Sequence, residues 1–385
     1  MTRVLVVDDS RFVRTVVGDA LANAGYEVKS VADGESAVEA ATSFEPDVVT
    51  MDVEMPGMSG IDAVERIMST NPTAIVMLSA HTEAGAEATL DALGRGAMEF
   101  LQKPDGSREE NLANLIDSVL ETVDDLASAD VSSLALARAT AAAHRAGSAR
   151  RRRAVAGGAA TGPDERRRGS GDRSAGKSTT VTVDRETVDD PTVIVGASTG
   201  GPRILERLLA TLPRALEAKI VIVQHMPAEF TRRFADRLDA TSEYDVREAG
   251  EDDLVGGGEA VVAPGGSHLE IAENVDGEIR VELDDGERIH GVRPSIDVTM
   301  RTAAETVSDP LAGVVLTGMG RDGAAGIEAI AAAGGRTFAQ DERSSPVFGI
   351  PQKAIETGAV DEIAPADDLP ARLVDAFSVE GESHG

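Results

Sequence analysis

Short apolar runs alternate with amphipathic stretches in the first part of the chain. VLVV at Val4–Val7, DVVTMD at Asp47–Asp52 and AIVMLSA at Ala74–Ala80 have the length and composition of strands that are covered on both faces. The helical patterns between and after them are Arg11–Ala24, Ser36–Ser43, a stretch after Gly60, and Ala86–Arg95. This strand–helix rhythm predicts a doubly wound α/β sheet of the flavodoxin-like kind, with ligand chemistry at the carboxyl ends of its strands.

The same rhythm returns near residue 190. The apolar runs TVIVGAS, KIVIVQHM, LAGVVLTG and RTFAQ are predicted strands. The helices predicted among them are Arg203–Ala210, Ala228–Leu238, Ser295–Glu305 and Gly323–Ala333. A β-rich insertion is expected around Glu259–Ile289. The second part is therefore predicted to be another doubly wound α/β domain.

Between these parts the hydrophobic periodicity is lost and Ala, Gly, Ser and Arg dominate, as in ARRRRAVAGGAATG. A basic run can be a nucleic-acid or partner-binding arm, but this composition favours a solvated interdomain linker. The length of 385 residues suits two domains of ordinary size. The predicted boundaries are a first domain at 1–125, a linker at 126–187, a second domain at 188–378 and a flexible tail at 379–385.

The charge and composition limit the possible partners and compartment. The net charge of −30 argues against general binding of DNA or RNA, because phosphate backbones would be repelled. With few lysines and 3% aromatic residues, it suits a halophilic cytoplasm. The absence of cysteine excludes disulfides, thiolate metal sites and a cysteine nucleophile. No signal-like N-terminus or apolar run of about 18 residues is present, so we expect a cytoplasmic protein without membrane insertion.

Acidic residues follow two strands of the first domain. Asp8 and Asp9 end the first strand and Asp52 ends the third, so the three carboxylates should lie close together at one edge of the sheet. Crowding raises the pKa values of carboxyl groups unless a cation lies between them. An oxygen-rich site of this kind suits Mg²⁺. A carboxylate beside Mg²⁺ can accept a phosphoryl group, with Ser79 and Lys103 contacting the phosphate oxygens. The alternative to a phosphorylation site, for each aspartate taken alone, is that it only caps the helix that follows its strand.

With these residues, the first 125 residues or so resemble the receiver domains of response regulators. The resemblance implies that Asp52, in MDVEMPGMSG, is the phosphorylated residue and that Asp8 and Asp9 bind Mg²⁺. It also implies that the backbone carbonyl of Glu54 binds the metal ion. Phe100 occupies the position of the family's switch aromatic, although tyrosine is commoner there; a plain core phenylalanine is the alternative.

A candidate nucleophile opens the second domain. PTVIVGASTGG places Ser198 on a glycine-flanked turn directly after a buried strand. A serine hydrolase also needs a base, a group that orients the base, and donors for the oxyanion. Three of the six histidines fall in the first domain, the linker and the tail: His81, His144 and His384. His225, which ends the next strand, is the favoured base; His268 is its main rival, and His290 lies in a polar segment.

The carboxylate of the site is expected in VVLTGMGRDGAAG. Asp322 follows a buried strand there, although a residue in this position can also be a simple helix N-cap. Backbone N–H groups around Ser198–Gly201, including that of Thr199, and the N–H group of Met319 are candidate oxyanion donors, because glycines permit close backbone approach. The chain order Ser, His, Asp differs from the orders of well-known serine hydrolases, but triads are defined by geometry.

A dinucleotide-binding loop is the competing interpretation of GASTGG. Its glycines lie between a strand and a helix, as such loops require. The spacing does not match G-x-G-x-x-G, however, and the next strand ends in Gln224-His225 rather than in an acidic residue. We therefore expect no cofactor in the second domain.

GASTGGP, QHMPAEFTRRFADRL, APGGSHL and TGMGRDGAAG together resemble the catalytic domain of the chemotaxis receptor methylesterase (CheB) family. The resemblance covers nearly the whole chain except the linker, whose length and arginine content depart from the family. It implies hydrolysis of glutamate γ-methyl esters, and deamidation of certain glutamines, on the cytoplasmic helices of chemoreceptors. It also implies phosphorylation of Asp52 by the histidine kinase CheA.

We therefore hypothesise that the first domain covers the serine site until phosphorylation shifts the equilibrium toward an open arrangement. A regulator whose second half only binds a partner is a different class of function; the joint presence of Ser198, His225 and Asp322 argues against it. A DNA-binding output is disfavoured by the net charge and by the lack of a basic recognition helix.

Overall fold

The structure is a computed structural model that describes residues 1–79, 83–103, 109–127, 181–183 and 187–379. The predicted linker at 126–187 and the predicted tail at 379–385 lie largely outside these ranges. The domain boundaries therefore remain predictions. The described residues include His225, His268 and His290 but not the other three histidines.

The first domain is a five-stranded parallel sheet with helices on both faces. Its strands are β1 (Arg3–Val7), β2 (Glu27–Val31), β3 (Val48–Asp52), β4 (Ala74–Ser79) and β5 (Glu99–Gln102). Its helices are α1 (Arg11–Asn23), α2 (Gly34–Phe44), α3 (Gly60–Thr70), α4 (Glu83–Arg95) and α5 (Glu109–Ala127). The strand order β2-β1-β3-β4-β5 confirms the predicted flavodoxin-like topology.

Local sequence explains where the first three helices begin. The side chains of Ser10, Asp33 and Ser59 accept hydrogen bonds from the backbone N–H groups of Val13, Ser36 and Asp62. Each satisfies a donor that the first turn of a helix leaves free. The apolar runs of β1, β3 and β4 are buried on both faces, as parallel strands require.

The second domain contains a seven-stranded parallel sheet and a separate antiparallel sheet. The strands are β6 (Thr192–Ala197), β7 (Lys219–Gln224), β8 (Asp245–Glu248), β9 (Leu254–Val255), β10 (Glu259–Val262), β11 (His268–Val275), β12 (Glu278–Asp284), β13 (Leu311–Val315), β14 (Arg336–Gln340) and β15 (Glu362–Ala364). The α-helices are α6 (Gly201–Leu209), α7 (Ala228–Asp239), α8 (Ile296–Thr306), α9 (Ala324–Ala332), α10 (Gly349–Glu356) and α11 (Leu369–Ala376). The parallel sheet has the order β15-β14-β13-β6-β7-β10-β8, which places the serine strand β6 at its centre.

The predicted β-rich insertion is smaller than expected. β10, at its predicted start, pairs in parallel with β7 and β8 and belongs to the main sheet. The insertion proper is the hairpin β11–β12, which is extended by β9. β8, β15, α10 and α11 were not predicted from the sequence. β8 and β15 are edge strands of four and three residues, too short for a clear hydrophobic pattern.

The two domains contact each other through α4 and β5 of the first and α6 and α7 of the second. The rings of Phe100, in β5, and Phe230, in α7, are tilted with centroids 4.3 Å apart. Arg233 of α7 pairs with Glu87 of α4 at 3.9 Å. Phe100 is thus a buried aromatic of the domain interface rather than of the interior of its own domain. No helix among the described ranges is long and apolar enough to cross a membrane.

Candidate active site

Ser198 lies one residue beyond the end of β6, at the carboxyl edge of the main sheet. Its N–H donates to the carbonyl oxygen of Thr317, 3.0 Å away, which extends the pairing of β6 with β13. Gly200 then adopts a left-handed conformation, with φ of 77°, and α6 begins at Gly201. The chain therefore reverses sharply at the serine, which leaves Ser198 at the strand end.

A second glycine allows the neighbouring strand end to approach Ser198. A Cβ atom at Gly318 would lie 2.7 Å from the Cβ atom of Ser198 and 2.6 Å from Ile350. Contacts this short cannot be accommodated without movement, so a larger residue at 318 would displace the serine. The glycine-rich turn after β13 is thus a packing requirement of the site.

His225 lies beside Ser198 because β6 and β7 pair in register. Ala197 is opposite Gln224, and the N–H of His225 donates to the carbonyl oxygen of Ala197 at 3.0 Å. The side-chain amide of Gln224 donates to the carbonyl oxygens of Ser198 and His225, at 3.0 and 3.1 Å. Hydrogen bonds therefore join the two strand ends at the residue before the serine and at the carbonyl group of the serine itself.

The imidazole of His225 is oriented by Asp322. Nε2 lies 2.8 Å from Oδ2 of Asp322, and the imidazole side chain is only 12% exposed. Nδ1 is then the nitrogen left for Ser198, the reverse of the assignment in the chymotrypsin-type triad. Among the described residues no hydrogen bond joins the imidazole to Oγ of Ser198, which is common for catalytic pairs without substrate.

Four donors hold the carboxylate of Asp322 at the N-terminus of α8. Oδ1 accepts from Oγ of Ser295 at 2.7 Å and from the N–H of Asp297 at 3.0 Å. Oδ2 accepts from the N–H of Ile296 at 2.7 Å as well as from His225. Burial raises the pKa of Asp322, but these hydrogen bonds outweigh it and the pKa lies below its ordinary value. Asp322 is therefore ionised and fixed in place, and the helix terminus favours its charge.

Asp297 fixes the turn that carries Asp322. Its Oδ1 accepts from the N–H groups of Gly323 and Gly326, at 2.9 and 2.7 Å, at the start of α9. His290 contacts its other oxygen at 3.1 Å. Ligand atoms of His290, Asp297 and Asp322 lie within 4.8 Å of one another, close enough for a metal ion. The hydrogen bonds that the two carboxylates already accept fit an orienting network better.

The rival histidine, His268, has a structural environment. It is 2% exposed; its Nδ1 accepts from the N–H of Ser295 at 3.1 Å, and its Nε2 lies 2.9 Å from the carbonyl oxygen of Glu287. A carbonyl oxygen only accepts, so Nε2 carries the proton and both ring nitrogens are occupied. His268 therefore has no free nitrogen for Ser198, which favours His225 as the base.

We expect His268→Ala to affect stability more than chemistry. The substitution removes two buried hydrogen bonds and should lower the free energy of unfolding by about 2–4 kcal/mol. Hydrolytic activity of the folded protein should stay within roughly tenfold of wild type, since only one hydrogen bond to Ser295 is lost near Asp322. Chemical denaturation and ester hydrolysis, measured on one preparation, check this. An inactive variant of unchanged stability would mean that His268 takes part in the chemistry.

Two backbone N–H groups near Ser198 are available for an oxyanion. The N–H groups of Ser198 and Gly201 already donate, to Thr317 and to the Ser198 carbonyl oxygen. The N–H groups of Thr199 and Met319 donate to no other residue in the part of the chain that the structure describes. They are therefore the best candidates for an oxyanion hole among the groups that the sequence suggested.

The acidic residues of the first domain also converge. Carboxylate oxygens of Asp8, Asp9 and Asp52 lie within 4.8 Å of one another. The ammonium group of Lys103 lies 2.7 Å from Asp8 and 2.8 Å from Asp52. Ser79 ends β4 beside them, and its carbonyl oxygen accepts from the N–H of Lys103 at 2.7 Å. The five side chains predicted to form a phosphorylation site thus lie at one edge of the sheet.

This acidic cluster has the donor set of a magnesium site. Burial, together with repulsion from Asp8 and Asp9, raises the pKa of Asp52 to about 6 even though Lys103 opposes the rise. Oδ2 of Asp8 is buried with Lys103 as its ionic partner but without a hydrogen-bond donor of good geometry. Both observations fit a hard cation that oxygen ligands would bind. Glu54 lies two residues after Asp52, in the loop after β3, where its backbone carbonyl could complete the set.

Several residues that build the site were not predicted from the sequence. Oγ1 of Thr317 contacts the carbonyl oxygens of Thr199 and Val347, at 2.9 and 3.0 Å, and so braces the serine turn. Gln224, Ser295 and Asp297 hold the histidine and the aspartate as described above. Ser295 was predicted only as the first residue of a helix; its hydrogen bond to Asp322, like the other contacts, is long-range and gave no local signal.

Comparison with known proteins finds a match to a different family in each half of the chain. The family described as response regulator receiver domain matches residues 4–117, and the family described as CheB methylesterase matches residues 193–373. The solved structure of the Thermotoga maritima CheB methylesterase catalytic domain is 41% identical and covers 48% of this chain and 97% of its own, with a TM-score of 0.46.

Two relatives match over nearly the whole length. Both are named protein-glutamate methylesterase/protein-glutamine glutaminase. That of Natronomonas pharaonis is 48% identical over 98% of each chain, and that of Halobacterium salinarum is 45% identical over 98% of this chain and 99% of its own. Both sources are halophiles, as the acidic composition led us to expect. The chain therefore belongs to the family of protein-glutamate methylesterases/protein-glutamine glutaminases, in which a receiver domain is joined to a CheB methylesterase domain.

Proposed function

We propose that this chain hydrolyses glutamate γ-methyl esters, and deamidates certain glutamines, on the cytoplasmic helices of chemoreceptors. The observation that carries the proposal is the meeting of Ser198, His225 and Asp322 at adjacent strand ends in a chain of this family. The protein acts in the cytoplasm on receptor helices, without inserting into the membrane and without binding DNA.

The reaction follows from the geometry of these three residues. Nδ1 of His225 takes the proton of Ser198 as Oγ forms a bond to the ester carbonyl carbon. The oxyanion is held by the N–H groups of Thr199 and Met319. His225 then returns the proton to the departing methanol, and water cleaves the acyl-enzyme with the same histidine as base. Asp322 stays ionised throughout and stabilises the imidazolium ion. Every step uses groups of the chain and water, so we propose no cofactor in the second domain.

The first domain controls this reaction through Asp52. The histidine kinase CheA is the proposed phosphodonor, and Asp8, Asp9, Asp52 and the carbonyl of Glu54 would hold Mg²⁺. When bound, Mg²⁺ would offset the repulsion between the carboxylates and the phosphoryl group. Lys103, already within 2.8 Å of Asp52, would pair with the new phosphate, and Ser79 would donate to it.

The position of the first domain against the serine turn supports control in which that domain blocks access to Ser198. The carbonyl oxygen of Met98, in the first domain, accepts from the N–H of Gly200 at 2.9 Å, within the serine turn itself. Phe100 packs on Phe230 beside this contact. The first domain therefore lies against the turn that a receptor helix must approach. Phosphorylation acts by favouring a state in which these contacts are released.

Methanol release from methylated receptor membranes tests this function. Full-length enzyme should release methanol, and a small phosphodonor with Mg²⁺ should raise the initial rate on the order of tenfold or more, because it shifts the closed and open populations. Asp52→Asn should keep the basal rate and lose the increase. Glu39→Gln, which changes an exposed carboxylate on α2, is the matched control and should respond as wild type does.

Absence of methanol release by wild type with the phosphodonor would contradict the proposed activity. Full activation of Asp52→Asn would contradict only the proposed control. The two parts of the proposal can thus fail separately.

A further inference from the structure

Arg321 lies on the turn between two groups of the candidate active site. Met319, whose N–H is a candidate oxyanion donor, precedes it by two residues, and Asp322, which orients His225, follows it directly. Adjacent Cα atoms are about 3.8 Å apart, and two residues span no more than about 7 Å. Asp322 is buried, but Arg321 is exposed. The guanidinium group therefore lies in solvent at the edge of the sheet where a substrate must approach Ser198.

The side chain of Arg321 does not contribute to holding the fold together. Other arginines of the second domain, such as Arg207, Arg214 and Arg280, form ion pairs with carboxylates. The side chain of Arg321 forms no hydrogen bond or ion pair with any residue that the structure describes. In a chain with 67 acidic and 37 basic residues, a cation without a carboxylate partner is available to a carboxylate of another molecule.

The turn that carries Arg321 has no second exposed charge. Within residues 318–324 the only carboxylate is that of Asp322, and four hydrogen bonds already occupy its two oxygens. Gly320, beside Arg321, is exposed and adopts a left-handed conformation with φ of 83°. Arg321 is thus the one charged side chain that this turn exposes beside the serine site.

The helical form of the proposed substrate determines what such a cation can recognise. A guanidinium group binds a carboxylate through two parallel N–H donors. On a helix, residues three or four positions apart lie on one face, with Cβ atoms about 5–6 Å apart. Building on the proposed function, we propose that Arg321 is a specificity-determining residue that binds a carboxylate of the receptor helix one turn away from the esterified glutamate. The substrate class is then a glutamate γ-methyl ester within an acidic segment of a helix.

Arg336 distinguishes this proposal from a general attraction between enzyme and receptor. It is exposed, and its side chain also forms no hydrogen bond or ion pair within the described ranges. It is the first residue of β14, however, and so lies at the amino edge of the main sheet, opposite the edge that carries Ser198. If only the charge of the enzyme mattered, replacing either arginine by glutamine would have the same effect.

The test uses full-length enzyme activated by a phosphodonor, and membranes with a receptor that carries a single methylated glutamate. The positions four residues before and after that glutamate are both glutamate in one preparation and both glutamine in the other. For wild type, kcat/KM of methanol release should be on the order of tenfold higher with the glutamate receptor, because an ion pair shielded from water by the bound helix exceeds an exposed one. Arg321→Gln should lower this ratio to about one, and Arg336→Gln should keep it.

Reversal of the charges completes the test. Arg321→Glu should prefer a third receptor, with lysine at both positions, over the glutamate receptor, a result that a misfolded variant cannot produce. A wild-type ratio retained by Arg321→Gln, or equal rates of wild type on the glutamate and glutamine receptors, would overturn the assignment of Arg321. Native methylated receptor membranes are measured in parallel: if wild type releases no methanol from them, the proposed function fails rather than the assignment of Arg321.

Discussion

Replacement of Ser198 by alanine is expected to lower the rate of methanol release roughly 10⁴-fold or more, to near the limit of detection. The substitution removes the atom that would form the acyl-enzyme, and loss of the nucleophile is among the most severe changes a triad can undergo. Folding should be little affected, because the contacts that hold the turn use the backbone of residue 198, at its N–H and carbonyl groups. The measurement is the initial rate on methylated receptor membranes, with enzyme activated by a phosphodonor.

Ser308→Ala is the matched control for this variant. Ser308 lies just before β13, at the amino end of the main sheet and so at the opposite edge from Ser198. Its hydroxyl contacts Asn274 at 3.1 Å, so the change removes one hydrogen bond without touching the site. It should keep the wild-type rate. Demethylation by Ser198→Ala at the wild-type rate would exclude a serine mechanism.

Asp322→Asn is the second substitution with a large expected effect, a loss of rate on the order of 10⁴. The carboxylate accepts four hydrogen bonds, from Ser295, Ile296, Asp297 and His225. An amide has only one oxygen, so its NH₂ group must face at least one of these donors. The imidazole would then lose its orientation or take the wrong tautomer, and the imidazolium ion would lose its counter-charge.

The control for Asp322→Asn is a carboxylate with a similar structural task elsewhere. Asp361 accepts from the N–H and the hydroxyl of Thr337, at 2.9 and 3.1 Å, away from the serine strand end. Both donors bind Oδ2, so the amide oxygen of Asp361→Asn can still accept from them; the substitution should change the free energy of unfolding by less than about 1 kcal/mol and keep the rate of the folded enzyme. A rate for Asp322→Asn within tenfold of wild type would mean that Asp322 only caps the turn before α9.

The sequence was sufficient for the elements with strong periodicity and for the residues at strand ends. β1, β3, β4, β6, β7 and β13 are buried parallel strands, and their apolar runs cannot be mistaken for loops. Once these strands are predicted, the rule that chemistry lies at the carboxyl ends selects Asp52, Ser198, His225 and Asp322. For that reason Ser198, His225 and Asp322 lie together in the second domain, and Asp52 lies beside Asp8, Asp9 and Lys103 in the first.

The features that could not be predicted from the sequence depend on contacts between residues that are distant along the chain. The choice between His225 and His268 needed the hydrogen bonds to Ser295 and Glu287, which no local pattern encodes. The position of Glu99 against Thr199 joins residues 100 positions apart in different domains. The strands β8 and β15 are too short and too polar to be distinguished from loops before the sheet that pairs them is known.

Covalent modification of the Ser198 hydroxyl, with activity followed as modification proceeds, tests most directly the claim that Ser198 is the nucleophile. Enzyme activated by a phosphodonor is treated with a fluorophosphonate, and samples are taken for both methanol release and mass analysis of the peptide that contains Ser198. We predict that the rate falls in direct proportion to the fraction of Ser198 that is modified and reaches zero when modification is complete. Methanol release that continues at its original rate from fully modified enzyme would contradict the account.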